Sequence, residues 1–273
     1  MTEKKERDYV LGTHDEEIER LGLQHRVWRP RVTDAWRLAG FTAGQTLIDI
    51  GCGPGYASID LAEIVGSAGK IVAIDRSRRF LDALEERQRQ LGLNNIQTFE
   101  LDLDEAPLPI RNADGAWSRW VFAFVKNPRA LLNKVTDSLK KGGVFVSYEY
   151  IDYSTWRVTP RSEAFEEFVR IVMESWRASG GEPDIAMELP LWLGELGFEI
   201  KSLKPIVEVT PPTNFLWQWP KAFVDVGIQR LVDIGKISQQ QADEVSEAFA
   251  KTETTPHALT ITPLVLEIIA VRT

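Results

Sequence analysis

The sequence is poor in the residues that build cross-linked or metal-bound proteins. Cys52 is the single cysteine, so no internal disulfide framework is available and no thiolate cluster can form. The three histidines, His14, His25 and His257, follow no metal-ligand spacing, and no bound metal is expected. No apolar run approaches the length a bilayer requires, and the opening MTEKKERDYV is charged with no apolar segment behind it. A membrane span and a secretory leader are therefore not expected, and the cytoplasm is the expected location. Positive charge is also in short supply: 32 basic against 40 acidic residues leave a net charge of −8, a field that repels a phosphate backbone and argues against nucleic acid as partner. Internal repeats and low-complexity stretches are absent. What remains is a chain of 273 residues, 44% hydrophobic and 26% charged, with the proportions of a soluble globular protein and length enough for a sizeable core.

The pattern along the chain alternates. Thr13 and Glu16 have the spacing of a capping box, with Ile18, Leu21 and Val27 following at helical intervals. Pro30 punctuates this segment, and VTDAWRLAG predicts a second helix that stops at Gly40. Then TLIDI, KIVAID, IQTFELD, GAWSRWVFAFV and GVFVSYEY predict five strands. Between them lie YASIDLAEIV, RFLDALEERQRQLG and PRALLNKVTDSLKKGG, helices with apolar faces and glycines at their ends. Strands alternating with helices predict a mostly parallel sheet covered on both faces. After Tyr150 the alternation lapses. SEAFEEFVRIVMESWRASGG predicts an added amphipathic helix, AMELPLWLGELGF a helix interrupted by Pro190, FEIKSLKPIVEV a sixth strand, and residues 213–252 two or three further helices. LVLEIIAVR predicts a last strand that rejoins the sheet.

The chemistry concentrates at LIDIGCGPGYAS. Gly51, Gly53 and Gly55 form G-x-G-x-G, and the sixth-position glycine of a dinucleotide fingerprint is replaced by Tyr56. Asp49, Ile50 and GCGPG resemble the first motif of class I methyltransferases that use S-adenosylmethionine. Asp75 ends IVAID about 20 residues on, where a carboxylate can accept both hydroxyls of a ribose, with Arg76 next to it. By the resemblance, Asp102 would sit near the adenine amino group and Leu103 against the ring. SRWVFAFVKNP and LKKGG are similar to the family's fourth-strand exit and following helix end. The resemblance covers about residues 45–150.

Further likeness, to the ubiquinone and menaquinone type of small-molecule methyltransferase, rests on YVLG and ERLGLQHRVWRP. It implies that Tyr9, Gln24 and His25 close over the donor and that Arg119 meets its methionine carboxylate. The competing account of Arg119 is a charge at a strand end reaching solvent. Cys52 falls among the residues expected to line the donor, with no chemistry of its own. The expected fold is an α/β, Rossmann-like methyltransferase sheet of about seven strands, with N-terminal helices and helical insertions after strands five and six. One unit of 273 residues is expected: an N-terminal cap (1–44), a donor-binding core (45–150), strand six with a helical acceptor cover (151–262), and the final strand (263–273).

The implied activity is methyl transfer to a small, partly apolar or aromatic molecule, giving S-adenosylhomocysteine as product. Such an in-line displacement runs on alignment and exclusion of water, so no catalytic residue is assigned, with His25, Tyr150 and Tyr153 as candidate bases. Trp120, Tyr150 and Trp219 are expected against the acceptor, although aromatics at helical spacing are more often core. A donor-binding regulatory protein without turnover, a nicotinamide dehydrogenase and a homodimer stay open.

Overall fold

The computed structural model describes residues 15–273. Tyr9, Thr13 and His14 lie outside the described residues. Helix α1 (Asp15–Leu38) runs straight through Pro30, so the two helices expected there are one. Proline cannot donate to the carbonyl four residues back. Val27 and Trp28 before it and Val32, Ala35 and Trp36 after it are all buried, and packing on both sides of the proline holds the helix together.

The core then alternates: β1 (Thr46–Ile50), α2 (Tyr56–Val65), β2 (Lys70–Asp75), α3 (Arg78–Leu91), β3 (Ile96–Glu100), β4 (Ala113–Arg119), α4 (Pro128–Ser138) and β5 (Leu139–Asp152). After these come β6 (Arg157–Thr159), α5 (Glu163–Ala178), α6 (Leu189–Glu195), β7 (Phe198–Ile206), β8 (Val209–Thr210), α7 (Gln218–Asp233), α8 (Gln239–Thr254), β9 (Leu259–Ile261) and β10 (Leu264–Arg272).

Seven strands form one sheet in the order β3-β2-β1-β4-β5-β10-β7. The β1, β2, β3, β4 and β5 contacts are parallel, and β10 enters antiparallel between β5 and β7. The expected mostly parallel, Rossmann-like sheet and the return of the last strand are both present. Successive strand residues feed opposite apolar layers: Leu47, Ala73 and Trp117 face one, and Ile48, Val72 and Ala116 the other. Burial on both faces explains why TLIDI and KIVAID are continuous apolar runs.

Three local expectations differ from the fold. Helix α4 ends at Ser138, and LKKGG belongs to β5, because Leu139 already pairs with Ala113 across the sheet. The fourth strand stops at Arg119, because Trp120 adopts a φ of 53° and breaks the extended run. Pro190 sits in the first turn of α6 and starts that helix, where its missing N–H costs nothing. A second, three-stranded antiparallel sheet, β6-β9-β8, has no counterpart in the sequence reading. Its strands are two or three residues long, too short to show a period.

Candidate active site

The carboxyl ends of β1, β2, β3 and β4 open onto one cleft. The glycine turn forms its floor. Gly55 has a φ of 79°, and a Cβ there would run into the Leu84 side chain, so this glycine serves turn and helix packing. Gly53, at φ 54°, differs: a Cβ there would find only Leu21 Cδ1, at 3.9 Å. The backbone at Gly53 is therefore bare toward the cleft.

Asp75 pins that turn. Its Oδ2 accepts the Gly53 N–H at 2.8 Å and its Oδ1 the Ser77 N–H at 2.8 Å. Burial raises its pKa, and the two amides oppose that rise by favouring the charge. Asp49, below the turn, accepts the Ser58 hydroxyl at 2.5 Å. Burial pushes its pKa up to about 7, against the pull of Ser58 and of the Arg119 charge.

Helix α1 closes the cleft from above. It approaches closely because Gly22 has no side chain: a Cβ there would lie 2.5 Å from the Tyr56 hydroxyl, which donates to the Ile18 carbonyl at 3.1 Å. Leu21 and Gln24 then reach the cleft. Arg20 forms a two-pronged, buried pair with Glu17, both contacts at 2.6 Å, and donates to Gln24 Oε1 at 3.1 Å, which fixes the Gln24 side chain at the cleft wall.

Arg119 stands at the end of β4, and His25 stands behind it. The imidazole Nε2 meets Asp60 Oδ2 at 3.0 Å, and Nδ1 meets Arg119 Nη2 at 3.4 Å. Burial lowers the His25 pKa, with the Arg119 charge adding to that effect and Asp60 opposing it. A neutral ring that donates from Nε2 to Asp60 presents a lone pair at Nδ1 to the guanidinium. Burial works against the Asp60 charge, but hydrogen bonds from His25 and Arg29 outweigh it and its pKa falls. His25 thus positions Arg119 and does not itself line the cleft.

Beyond Arg119 the chain turns through Trp120 into a loop held by Glu149. Its fully buried carboxylate accepts the N–H groups of Val121 at 2.8 Å and Phe122 at 3.0 Å, with Ala123 more distant at 3.4 Å. Burial pushes the Glu149 pKa up to about 7, and the three amides limit the rise. The Trp120 ring is sandwiched between Tyr150, 5.4 Å away at 14°, and Trp219, 5.6 Å away at 12°. Its indole N–H is buried with no partner among the described residues.

Of the residues expected at the donor, Gln24, Asp49, Gly51, Cys52 and Gly53 line this cleft. So do Asp75, Arg76, Asp102, Leu103 and Arg119, and with them Trp120. His25 lies behind Arg119, Tyr150 and Trp219 lie behind Trp120, and Tyr9 is outside the described residues. Asp102 also forms a local turn, accepting the Asp104 N–H at 3.0 Å. Sequence reasoning missed Leu21, Tyr56 and Phe80 on the cleft wall and Glu149 beneath the loop. Phe124 and Val125 belong to the segment FAFVKNP, whose likeness to the family was the available signal. Among the described residues no helix is long and apolar enough to cross a membrane.

Residues 41–179, half of the chain, match the model of the methyltransferase domain family. The chain belongs to that family. This methyltransferase-domain chain is 28% identical over 126 residues to the demethylmenaquinone methyltransferase of Oceanobacillus iheyensis, covering 46% of this chain and 52% of that protein. It is 26% identical over 153 residues to the 2-phytyl-1,4-naphthoquinone methyltransferase of Synechococcus elongatus, covering 56% of this chain and 61% of that one. The matched stretch thus spans little more than half the length of these relatives. In fold, the domain resembles a candidate methyltransferase of Bacillus halodurans C-125, with a TM-score of 0.62 at 16% identity over 88% of this chain and 98% of the other.

Proposed function

We propose that the chain transfers a methyl group from S-adenosylmethionine to a small, partly apolar or aromatic acceptor. The observation that carries this is the Asp75 carboxylate, which ends β2, borders the cleft and ties down the bare Gly53 backbone. It puts a hydroxyl-binding group beside a surface that only an uncrowded ligand edge can approach. The remaining residues fit the same donor: Asp102 and Leu103 would hold adenine, Gln24 would reach it from α1, and Arg119 would meet the methionine carboxylate.

When bound, the donor supplies an electrophilic methyl group on a positively charged sulfur. The chain's own residues bind, orient and exclude water. Helix α1 covers the cleft, the Glu149-held loop fixes Trp120 and Phe124, and His25 holds Arg119. No side chain is assigned as general base: Tyr153 is 1% exposed and burial pushes its phenol well above its ordinary range, while His25 is committed to Asp60 and Arg119.

The two relatives named for naphthoquinone and demethylmenaquinone methylation favour an apolar ring system as acceptor. Within this reading the chain is one methyltransferase unit, with residues 1–44 as cap, 45–150 as donor core, 151–262 as acceptor cover and 263–273 as final strand. It works in the cytoplasm, where the buried thiol of Cys52 stays reduced, and light scattering will decide between monomer and homodimer. The test is transfer of radiolabelled methyl into a fractionated metabolite extract, with Gly53→Arg protein as blank. Label in a small-molecule fraction with intact protein alone is the expected result. Donor binding without transfer to any fraction points instead to a regulatory protein.

A further inference from the structure

A second cavity lies beyond Phe124. Phe124, Arg76 and Asp104 border both it and the donor cleft. Its walls are the facing sides of two helices of the cover: Val172, Ser175, Trp176 and Ala178 along α5, and Phe223, Gly227, Arg230 and Leu231 along α7. Gly227 lets two rings pack close against α7. A Cβ there would stand 3.1 Å from the Phe223 ring and 3.3 Å from Phe168. Aromatic rings form one side, with Trp176 centred 4.8 Å from Phe124 and 6.1 Å from Phe223.

The charge of this cavity opposes that of the chain. Arg76, Lys126, Arg230 and Lys236 border it against a single acid, Asp104, in a protein with 32 basic and 40 acidic residues overall. Asp104 is already occupied, since its carboxylate accepts the Lys126 N–H at 2.9 Å and the Asn127 N–H at 3.1 Å. The Arg230 Nε is buried and has no hydrogen-bond partner among the described residues. A buried donor on a charged group without a partner is costly, and an oxyanion relieves it with a charge-assisted bond. The helix that supplies Arg230 and the neighbouring Lys236 lie outside the segment matched by the family model, residues 41–179.

We propose that this cavity is an acceptor subsite for an amphipathic aromatic anion. Arg230 and Lys236 bind its carboxylate or phosphate, and Phe124, Trp176 and Phe223 take its apolar body. The inference rests on the methyl-transfer reading and deepens it, because the shared wall at Phe124 joins the anion site to the donor cleft.

The test loads the full chain with S-adenosylhomocysteine, whose own affinity is measured first, and then titrates 1-naphthoate, 1-naphthyl phosphate and the neutral 1-naphthalenemethanol by calorimetry. At least one anion is expected to bind tenfold or more tighter than the neutral probe, with the margin shrinking as salt is raised. Phosphate over carboxylate, or the reverse, assigns the group. Arg230→Met should bring the anion down to the neutral probe's affinity. Lys236→Met, at an exposed position that spares the fold, should weaken the anion threefold or more and leave the neutral probe unchanged. Equal affinity for anion and neutral probe, or anion binding unmoved by both substitutions, overturns the subsite while leaving donor binding intact. An anion preference in a protein that fails to bind S-adenosylhomocysteine overturns the acceptor role and the methyl-transfer reading together.

Discussion

The two halves of the molecule hold their ligand surfaces by different means. On the sheet side, the cleft proposed for the donor is set by backbone: a glycine turn, carboxylates at strand ends, and amides fixed by Asp75 and Glu149. Between the sheet and the cover, Trp28, Trp120 and Tyr150 meet Trp219, Tyr153, Trp176 and Phe223 ring to ring. Hydrogen-bonded backbone tolerates little variation and suits a ligand that never changes. Packed aromatic surface can be recut side chain by side chain, which suits a surface that chooses among acceptors.

That contrast can be broken by substitution. The largest effect is expected from Gly53→Arg, which fills the cleft from its one bare backbone position: S-adenosylhomocysteine affinity should fall at least 100-fold by calorimetry, with the melting temperature little changed. Trp219→Ala strikes the cover instead. Losing a buried indole should cost about 3–5 kcal/mol in urea unfolding, and donor affinity should move less than threefold because Trp219 does not line the cleft. A large loss of donor binding in Trp219→Ala would merge the two halves into one unit.

A third substitution sharpens the account of the loop between them. The folded pKa of Glu149 is raised from 4.5 to about 7, so the folded state holds more protons than the unfolded one in that interval. Stability is therefore fully present below about pH 4.5 and falls as pH rises through 7, by about 3 kcal/mol from this group. Asp49, raised to about 7 by burial, slopes the same way. Glu149→Gln should flatten the fall between pH 5 and pH 8, and an unchanged slope would remove Glu149 from the explanation. Smallest are the effects behind Arg119. His25→Leu and Asp60→Asn should each weaken donor binding about three- to tenfold, roughly 1 kcal/mol, whereas Arg29→Ala, whose side chain is 56% exposed, should change it less than twofold.

The same division explains what was legible in the sequence. Gly53, Asp75 and Asp102 could be placed because turn chemistry and strand spacing are local, and each lands at the cleft. The sheet was legible too, since burial on both faces writes continuous apolar runs. His25, expected over the donor, stands behind Arg119 at the cleft wall, a placement its sequence position could not show because its partners Asp60 and Arg119 are 35 and 94 positions away. Tyr150 and Trp219, expected against the acceptor, pack on either side of Trp120, whose left-handed backbone turns its ring between them, an arrangement that sequence spacing does not encode. Pro30 misled because its penalty is local, while the burial that outweighs it comes from the rest of the fold.

The proposed donor cleft is tested most directly by calorimetric titration of S-adenosylhomocysteine into the wild-type chain and into Asp75→Asn. One-to-one binding by the wild type, weakened tenfold or more in the variant, is the predicted result. No binding by the wild type, or equal affinity in the two proteins, would contradict it.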